Sequence, residues 1–177
     1  MKEEIIMAGS GGQGIMFAGT LIAHAAMKEG LNVTYFPSYG AEMRGGTANC
    51  TVIVSDENIG SPVVTNPSAL LAMNESSLEK FSPKVKKDGL IIVNSSLLKK
   101  EIKINDVEIL KIPATELAEK LGDNKVANMV ILGAYVNRSK VVSLERTMDS
   151  LKKVLGEGRK NLLKLNREAL RKGEEYR

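Results

Sequence analysis

Two glycine-rich stretches hold most of the chemistry available to this 177-residue chain. The first, Gly9-Ser10-Gly11-Gly12-Gln13-Gly14, follows the apolar run Ile5–Ala8 and precedes a small-residue segment from Ile15 to Glu29. Glycines spaced G-x-G-x-x-G permit positive φ and a close approach of ligand to backbone. The N–H groups opening the next helix then offer partial positive charge to an anion. A dinucleotide fold also needs an acidic residue at the end of the following strand, to hold the ribose hydroxyls. Here that strand ends Tyr35-Phe36-Pro37-Ser38-Tyr39, and the next carboxylate is Glu42. NAD is therefore disfavoured, and NADP lacks a strand-end arginine. Three uses of the loop stay open: a cradle for another phosphate-bearing or anionic ligand, a seat for a partner's backbone, or a tight turn that binds nothing.

The second stretch is denser. Ser38-Tyr39-Gly40, then Glu42-Met43-Arg44-Gly45-Gly46-Thr47, packs hydroxyls, a carboxylate, a guanidinium and glycines into ten residues. Arg44 can fork a carboxylate or phosphate, and Gly45-Gly46 lets a ligand or another chain touch the backbone. The plainer alternative is a Glu42–Arg44 pair stiffening a surface loop. The candidate binding residues are therefore Gly9, Ser10, Gly11, Gly12, Gln13 and Gly14, with Ser38, Tyr39, Arg44, Gly45, Gly46 and Thr47. No catalytic constellation accompanies them. His24 stands among alanines with no nucleophile nearby, Cys50 falls inside an apolar strand, and the acidic residues show no metal-ligand spacing.

Positioning such loops calls for an α/β fold. The sequence predicts a strand at Ile5–Ala8, a helix from Ile15 to Glu29 stopped by Gly30, and a strand at Leu31–Phe36, a Rossmann-like first unit. Pro37–Gly46 reads as a loop and Thr47–Ser55 as an alternating strand. Further strands are expected at Leu70–Met73, Leu90–Val93 and Val107–Ile112. Helices are expected at Glu75–Phe81, after Pro113 through Lys120, and at Val126–Asn137 and Leu144–Leu155. A strongly charged helix at about 159–172 is expected to project from the body, its face either solvated or offered to an acidic partner. The whole reads as one domain over 1–177, a three-layer sandwich around a mostly parallel, mixed sheet.

Composition narrows the function. Aromatics make up 4% of the chain and Trp is absent, which argues against a reader that stacks bases. The net charge of +4 is too small to imply nucleic acid by itself. A single cysteine excludes an intramolecular disulfide, an iron–sulfur cluster and a structural zinc held by this chain alone. With no signal peptide and no apolar run of about 18 residues, the expected location is cytoplasmic, without a membrane.

Taken together, GSGGQG after the first strand, SYGAEMRGGTANC after the second and SDENIGSPVV beyond it resemble the gamma subunit of the 2-oxoacid:ferredoxin oxidoreductases. The form SYGAEMRGGTANC is most similar to the 2-oxoglutarate type. The likeness implies one chain of an enzyme that turns a 2-oxo acid, coenzyme A and oxidised ferredoxin into acyl-CoA, carbon dioxide and reduced ferredoxin. It implies thiamine diphosphate with magnesium and [4Fe–4S] clusters in partner alpha and beta chains, often with a ferredoxin-like delta subunit. It also implies that this chain is inert alone and contributes packing and coenzyme A access. A stand-alone nucleotide- or coenzyme-binding protein and a purely structural scaffold subunit are the alternatives.

Overall fold

The computed structural model describes residues 1–39, 46–99, 103–156 and 160–176, with most strands in the first two thirds of the chain and four helices in the last. β1 (Lys2–Ser10) leads through a glycine turn into α1 (Ile15–Lys28), and β2 (Asn32–Tyr39) then pairs with β3 (Thr47–Ser55). Next come β4 (Ala69–Ala72), α2 (Glu75–Phe81), β5 (Gly89–Asn94), β6 (Val107–Ile112) and α3 (Ala114–Leu121). α4 (Ala127–Ser139), α5 (Leu144–Leu155) and α6 (Lys160–Glu174) complete the order.

The strands form one sheet in the order β2-β3-β1-β4-β5-β6. Parallel ladders join β1 to β4, β4 to β5 and β5 to β6, whereas β3 runs antiparallel to both β1 and β2. The sheet is mostly parallel and mixed, as the sequence predicts, with β3 as its reversed strand. β1 is longer than its apolar centre because Lys2–Glu4 pair with Val54, Ser55 and Ile53 of β3. β2 runs on through Pro37 to Tyr39, so Ser38 and Tyr39 stand in a strand, not in the expected loop. β2 lies at the sheet edge, where proline's missing N–H is tolerated.

The two faces of the sheet are covered unequally. Alternate residues Ile5, Met7, Cys50, Val52, Leu71 and Ile92 pack under α1, α3, α4, α5 and α6 in the larger core. Ile6, Ala8, Leu70, Ala72, Ile91 and Val93 face the other way, against Leu78 and Phe81 of α2. α1 and α2 thus lie on opposite faces, the arrangement of a doubly wound sheet.

The charged C-terminal helix does not project, and this corrects the sequence expectation. Ala169 and Leu170 of α6 are fully buried, and Leu163 and Leu165 pack against the core. A Cβ added to Gly133 of α4 would overlap the Leu170 carbonyl, and one added to Gly173 would overlap the Val130 carbonyl. The two backbones therefore touch. Lys164, Glu168, Arg171 and Glu174 of α6 are exposed, while Asn166, Ala169, Leu170 and Gly173 form its buried side. Arg159, where the sequence places the helix start, lies outside the described residues.

Candidate functional site

The first glycine stretch is a turn braced from within. The Gln13 amide donates to the Ser10 carbonyl (3.1 Å), and the Gln13 side-chain oxygen accepts the Ser10 amide (2.7 Å). Asn74, at the end of β4, donates Nδ2 to both Ser10 Oγ and Gln13 Oε1 at 3.0 Å. Its Oδ1 meanwhile accepts the Ser77 amide at 2.9 Å and so caps α2. β1 and β4 flank the point where strand order changes direction, the crevice in which doubly wound folds seat ligands. Here the protein's own Ser10, Gln13 and Asn74 fill it.

The glycines divide into two kinds. A Cβ on Gly9 would stand 2.7 Å from Gln13 Oε1 and 2.8 Å from Ile15 Cδ1, so this glycine serves internal packing. Gly14 has φ 71 at the N-cap of α1, and a Cβ there would overlap the Asn128 side chain. Asn128, at the start of α4, donates Nδ2 to the Gly14 carbonyl (2.9 Å) and accepts the Met129 amide (2.9 Å). Gly12, with φ +96, has open space where a side chain would begin. Gly11 donates its amide to the Gly46 carbonyl at 2.9 Å.

That last bond brings the two sequence motifs together. Ser10 and Thr47 are the final register pair of β1 and β3, and Gly11–Gly46 carries the contact one step further. Beside it lies a hollow of about 300 Å³, with Ser10, Gly11, Gly12, Gly14, Gly46 and Thr47 on its polar side. Ile15, Met16, Phe17 and Ala48 supply its apolar wall. α1 has no side-chain cap and no acidic residue in its first turn. Among the described residues the amides of Gly12, Ile15, Met16 and Phe17 have no protein acceptor. Unpaired amides at a helix start, without a carboxylate to compete, favour an anion.

The other candidate residues fare differently. Ser38 is exposed and pairs with Asn49, which in turn pairs with Ala8, so it stands below the rim of the hollow. Arg44 and Gly45 lie outside the described residues, as does the side chain of Tyr39. The dinucleotide reading fails on strand order as well as on the missing acid. β3 separates β2 from β1, which moves the end of β2 about 10 Å sideways from the glycine loop. Cys50 is fully buried and leans on the Ile15 carbonyl at 3.6 Å, and burial pushes its thiol up to about 12. It is a packing residue. His24 is half-buried on α1 without a hydrogen bond among the described residues. No group of three His, Cys, Asp or Glu able to hold a metal occurs among the described residues. Nor is any described helix long and apolar enough to cross a membrane.

Sequence reasoning missed the three asparagines that hold this end of the sheet. Asn74 was legible as an N-cap before Glu75. Asn128 carries no sequence signal. Asn94, fully buried, accepts the Ala114 amide (3.1 Å) and the Thr115 amide (3.3 Å) at the start of α3.

Fold and site together define a doubly wound domain whose glycine loop opens a helix with unpaired amides and lacks the ribose anchor of a dinucleotide site. The chain belongs to the pyruvate ferredoxin/flavodoxin oxidoreductase family, whose model matches residues 4–176, and it is of the gamma-subunit type. It is 34% identical to the 2-oxoglutarate synthase subunit KorC of Methanothermobacter marburgensis, over 98% of this chain and 100% of that one. It is also 34% identical to the ketoisovalerate oxidoreductase subunit VorA of Methanothermobacter thermautotrophicus, over 99% of this chain. The chain spans only 36% of that VorA subunit. Among solved structures it is similar to the gamma subunit of a keto/oxoacid ferredoxin oxidoreductase from Geobacter sulfurreducens. That match has 34% identity and TM-score 0.85, over 99% of this chain and 96% of the other. It is similar too to the 2-oxoglutarate:ferredoxin oxidoreductase of Magnetococcus marinus, solved with 2-oxoglutarate, coenzyme A and succinyl-CoA bound. There the identity is 28% and the TM-score 0.89, over 98% of this chain and 30% of the other.

Proposed function

We propose that this chain is the gamma subunit of a 2-oxoglutarate-type oxidoreductase and that its share of the work is to seat coenzyme A at the glycine loop. The observation that carries the reading is the set of unpaired amides at Gly12 and Ile15–Phe17, facing a hollow with one apolar wall. Phosphates would lie on the amides, and the pantetheine arm along Met16 and Phe17. Arg44 would assist from the second motif. The KorC relative of Methanothermobacter marburgensis, matched along its whole length, and the motif SYGAEMRGGTANC support 2-oxoglutarate as the oxo acid. On this reading thiamine diphosphate, magnesium and [4Fe–4S] chemistry would belong to alpha and beta partners, and the single cysteine of this chain could not by itself hold a cluster.

A scaffold role is the second reading, favoured by the use of Gly9 and Gly14 in internal packing. Two experiments test the proposal. Anaerobic purification through a tag on this chain should recover a brown complex with thiamine-binding and cluster-bearing subunits; a colourless solitary chain refutes the subunit role. Hydrogen exchange on that complex should show coenzyme A protecting the amides of residues 11–17. Absence of protection would leave the scaffold reading standing.

A further inference from the structure

α5 and α6 pack side by side and leave a groove between them. α5 ends at Leu155 and α6 begins at Lys160, so the two run antiparallel. A hollow of about 380 Å³ lies in the groove, and Leu144 and Met148, half-buried against the core, form its apolar floor. Its walls carry opposite charge. Glu145 and Asp149 line it from α5, Arg167 and Arg171 from α6, and the spacing of four residues sets each pair on one face of its helix. None of these four side chains has a hydrogen-bond or ion-pair partner among the described residues. Arg167 is the clearest case, because its Nε is shut away from solvent without an acceptor. A guanidinium can only donate, so shielding one of its N–H groups unpaired is costly. The groove is also remote from the glycine loop. It begins beside Ser143, which is bonded to Glu29 at the C-terminal end of α1, whereas the loop opens the other end of that helix. The 14 residues of α1 hold the two ends about 20 Å apart.

We propose that this groove is an interface with a second copy of the same chain, related to the first by a two-fold axis along the groove. Such an axis lays α5 of each copy over α6 of the other and keeps level positions level. Glu145 and Asp149 of one copy then face Arg167 and Arg171 of the other, twice over, and the two apolar floors are brought together. The contact is isologous, the same patch on both sides. It offers Arg167 a carboxylate that its own chain does not. Rows of both signs match a copy of themselves, whereas a partner of one sign would meet repulsion from one wall. This pairing is independent of what the glycine loop binds.

Sedimentation of the full chain tests it, and the wild type should run as a dimer. Arg167→Glu/Arg171→Glu and Glu145→Arg/Asp149→Arg should each shift it to the monomer, since each sets like charges face to face. An equimolar mixture of the two variants should recover a dimer with one of each, because the exchanged charges match again in both halves of the contact. Glu145 and Asp149 are exposed, so their replacement leaves the fold in place, and its result stands even where the arginine variant misfolds. A monomeric wild type, a dimer that survives Glu145→Arg/Asp149→Arg, or folded variants that stay monomeric when mixed each overturn the proposal. Cross-links in the purified complex that join α5 and α6 only to a different subunit assign the groove to that subunit and overturn it as well.

Discussion

The amide of Gly11 donates to the carbonyl of Gly46 across 2.9 Å, joining two loops that are remote in sequence. The bond extends the β1–β3 ladder past its last pair, Ser10 and Thr47. It anchors the first motif to Gly46, near the end of the second. It also withholds the Gly11 amide from any ligand and leaves Gly12 as the exposed donor of the turn.

Gly14 is held from two directions, by its own left-handed backbone and by Asn128. Gly14→Ala should lower stability by about 2 kcal/mol, combining the cost of a side chain at positive φ with overlap against Asn128. Asn128→Ala alone should cost about 1–2 kcal/mol through the lost bond to the Gly14 carbonyl. Because the second change also makes room for the first, the double variant should lose less than the sum. Urea unfolding of the four proteins measures this, and strict additivity would refute the coupling.

The α4–α6 crossing leaves no room for a methyl group. Gly173→Ala should destabilise the protein by about 3 kcal/mol, since only backbone movement can relieve the overlap with the Val130 carbonyl. Limited proteolysis should then release the segment from residue 160 onward before the rest of the chain. Lys164→Ala, on the exposed side of α6, should leave both readouts unchanged.

Glu4 links stability to pH. Burial alone would raise its pKa, but hydrogen bonds and attraction from Lys86 and Lys2 outweigh that and hold it below 4.5. A depressed folded pKa contributes stability above the unfolded value and loses it as pH falls through the folded one. Wild-type stability should therefore drop on acidification below about pH 4.5, and Glu4→Gln should flatten that slope. Side chains this near the surface set the scale at roughly 1 kcal/mol or less. Equal slopes in the two proteins would assign the acid sensitivity elsewhere.

Cys50 should resist alkylation in the native protein. Its buried thiol, raised to about 12, is almost wholly protonated at pH 8. Mass spectrometry after iodoacetamide treatment should show no adduct until denaturant is added. Rapid native labelling would mean that the α1–β3 contact opens readily.

Much of the framework was legible because local pattern and tertiary burial agree. β3 alternates along its length, α2 follows an asparagine cap, and α5 begins at the Ser143 cap, whose hydroxyl accepts the Arg146 amide at 3.2 Å. Both ends of each of these elements match the sequence reading. α6 misled because lysines and arginines dominate its composition, while the informative residues Leu163, Asn166, Leu170 and Gly173 recur at helical spacing between them. Pro37 suggested a strand end, yet an edge strand has no second neighbour for its nitrogen to serve. The insertion of β3 between β1 and β2 had no local signature, because strand order is set by pairings between distant segments. The meeting of Gly11 with Gly46 depends on that order and has no local signature either.

The reversal of β3 has a consequence for how such a chain can diversify. Tyr39 pairs with Ala48, so the polypeptide leaves the sheet and re-enters it on adjacent strands. Eight strand pairs, from Asn32–Ser55 to Tyr39–Ala48, set the alignment of β2 and β3. The register of this hairpin is thus fixed by its arms, and it would survive changes of sequence in the connection between them.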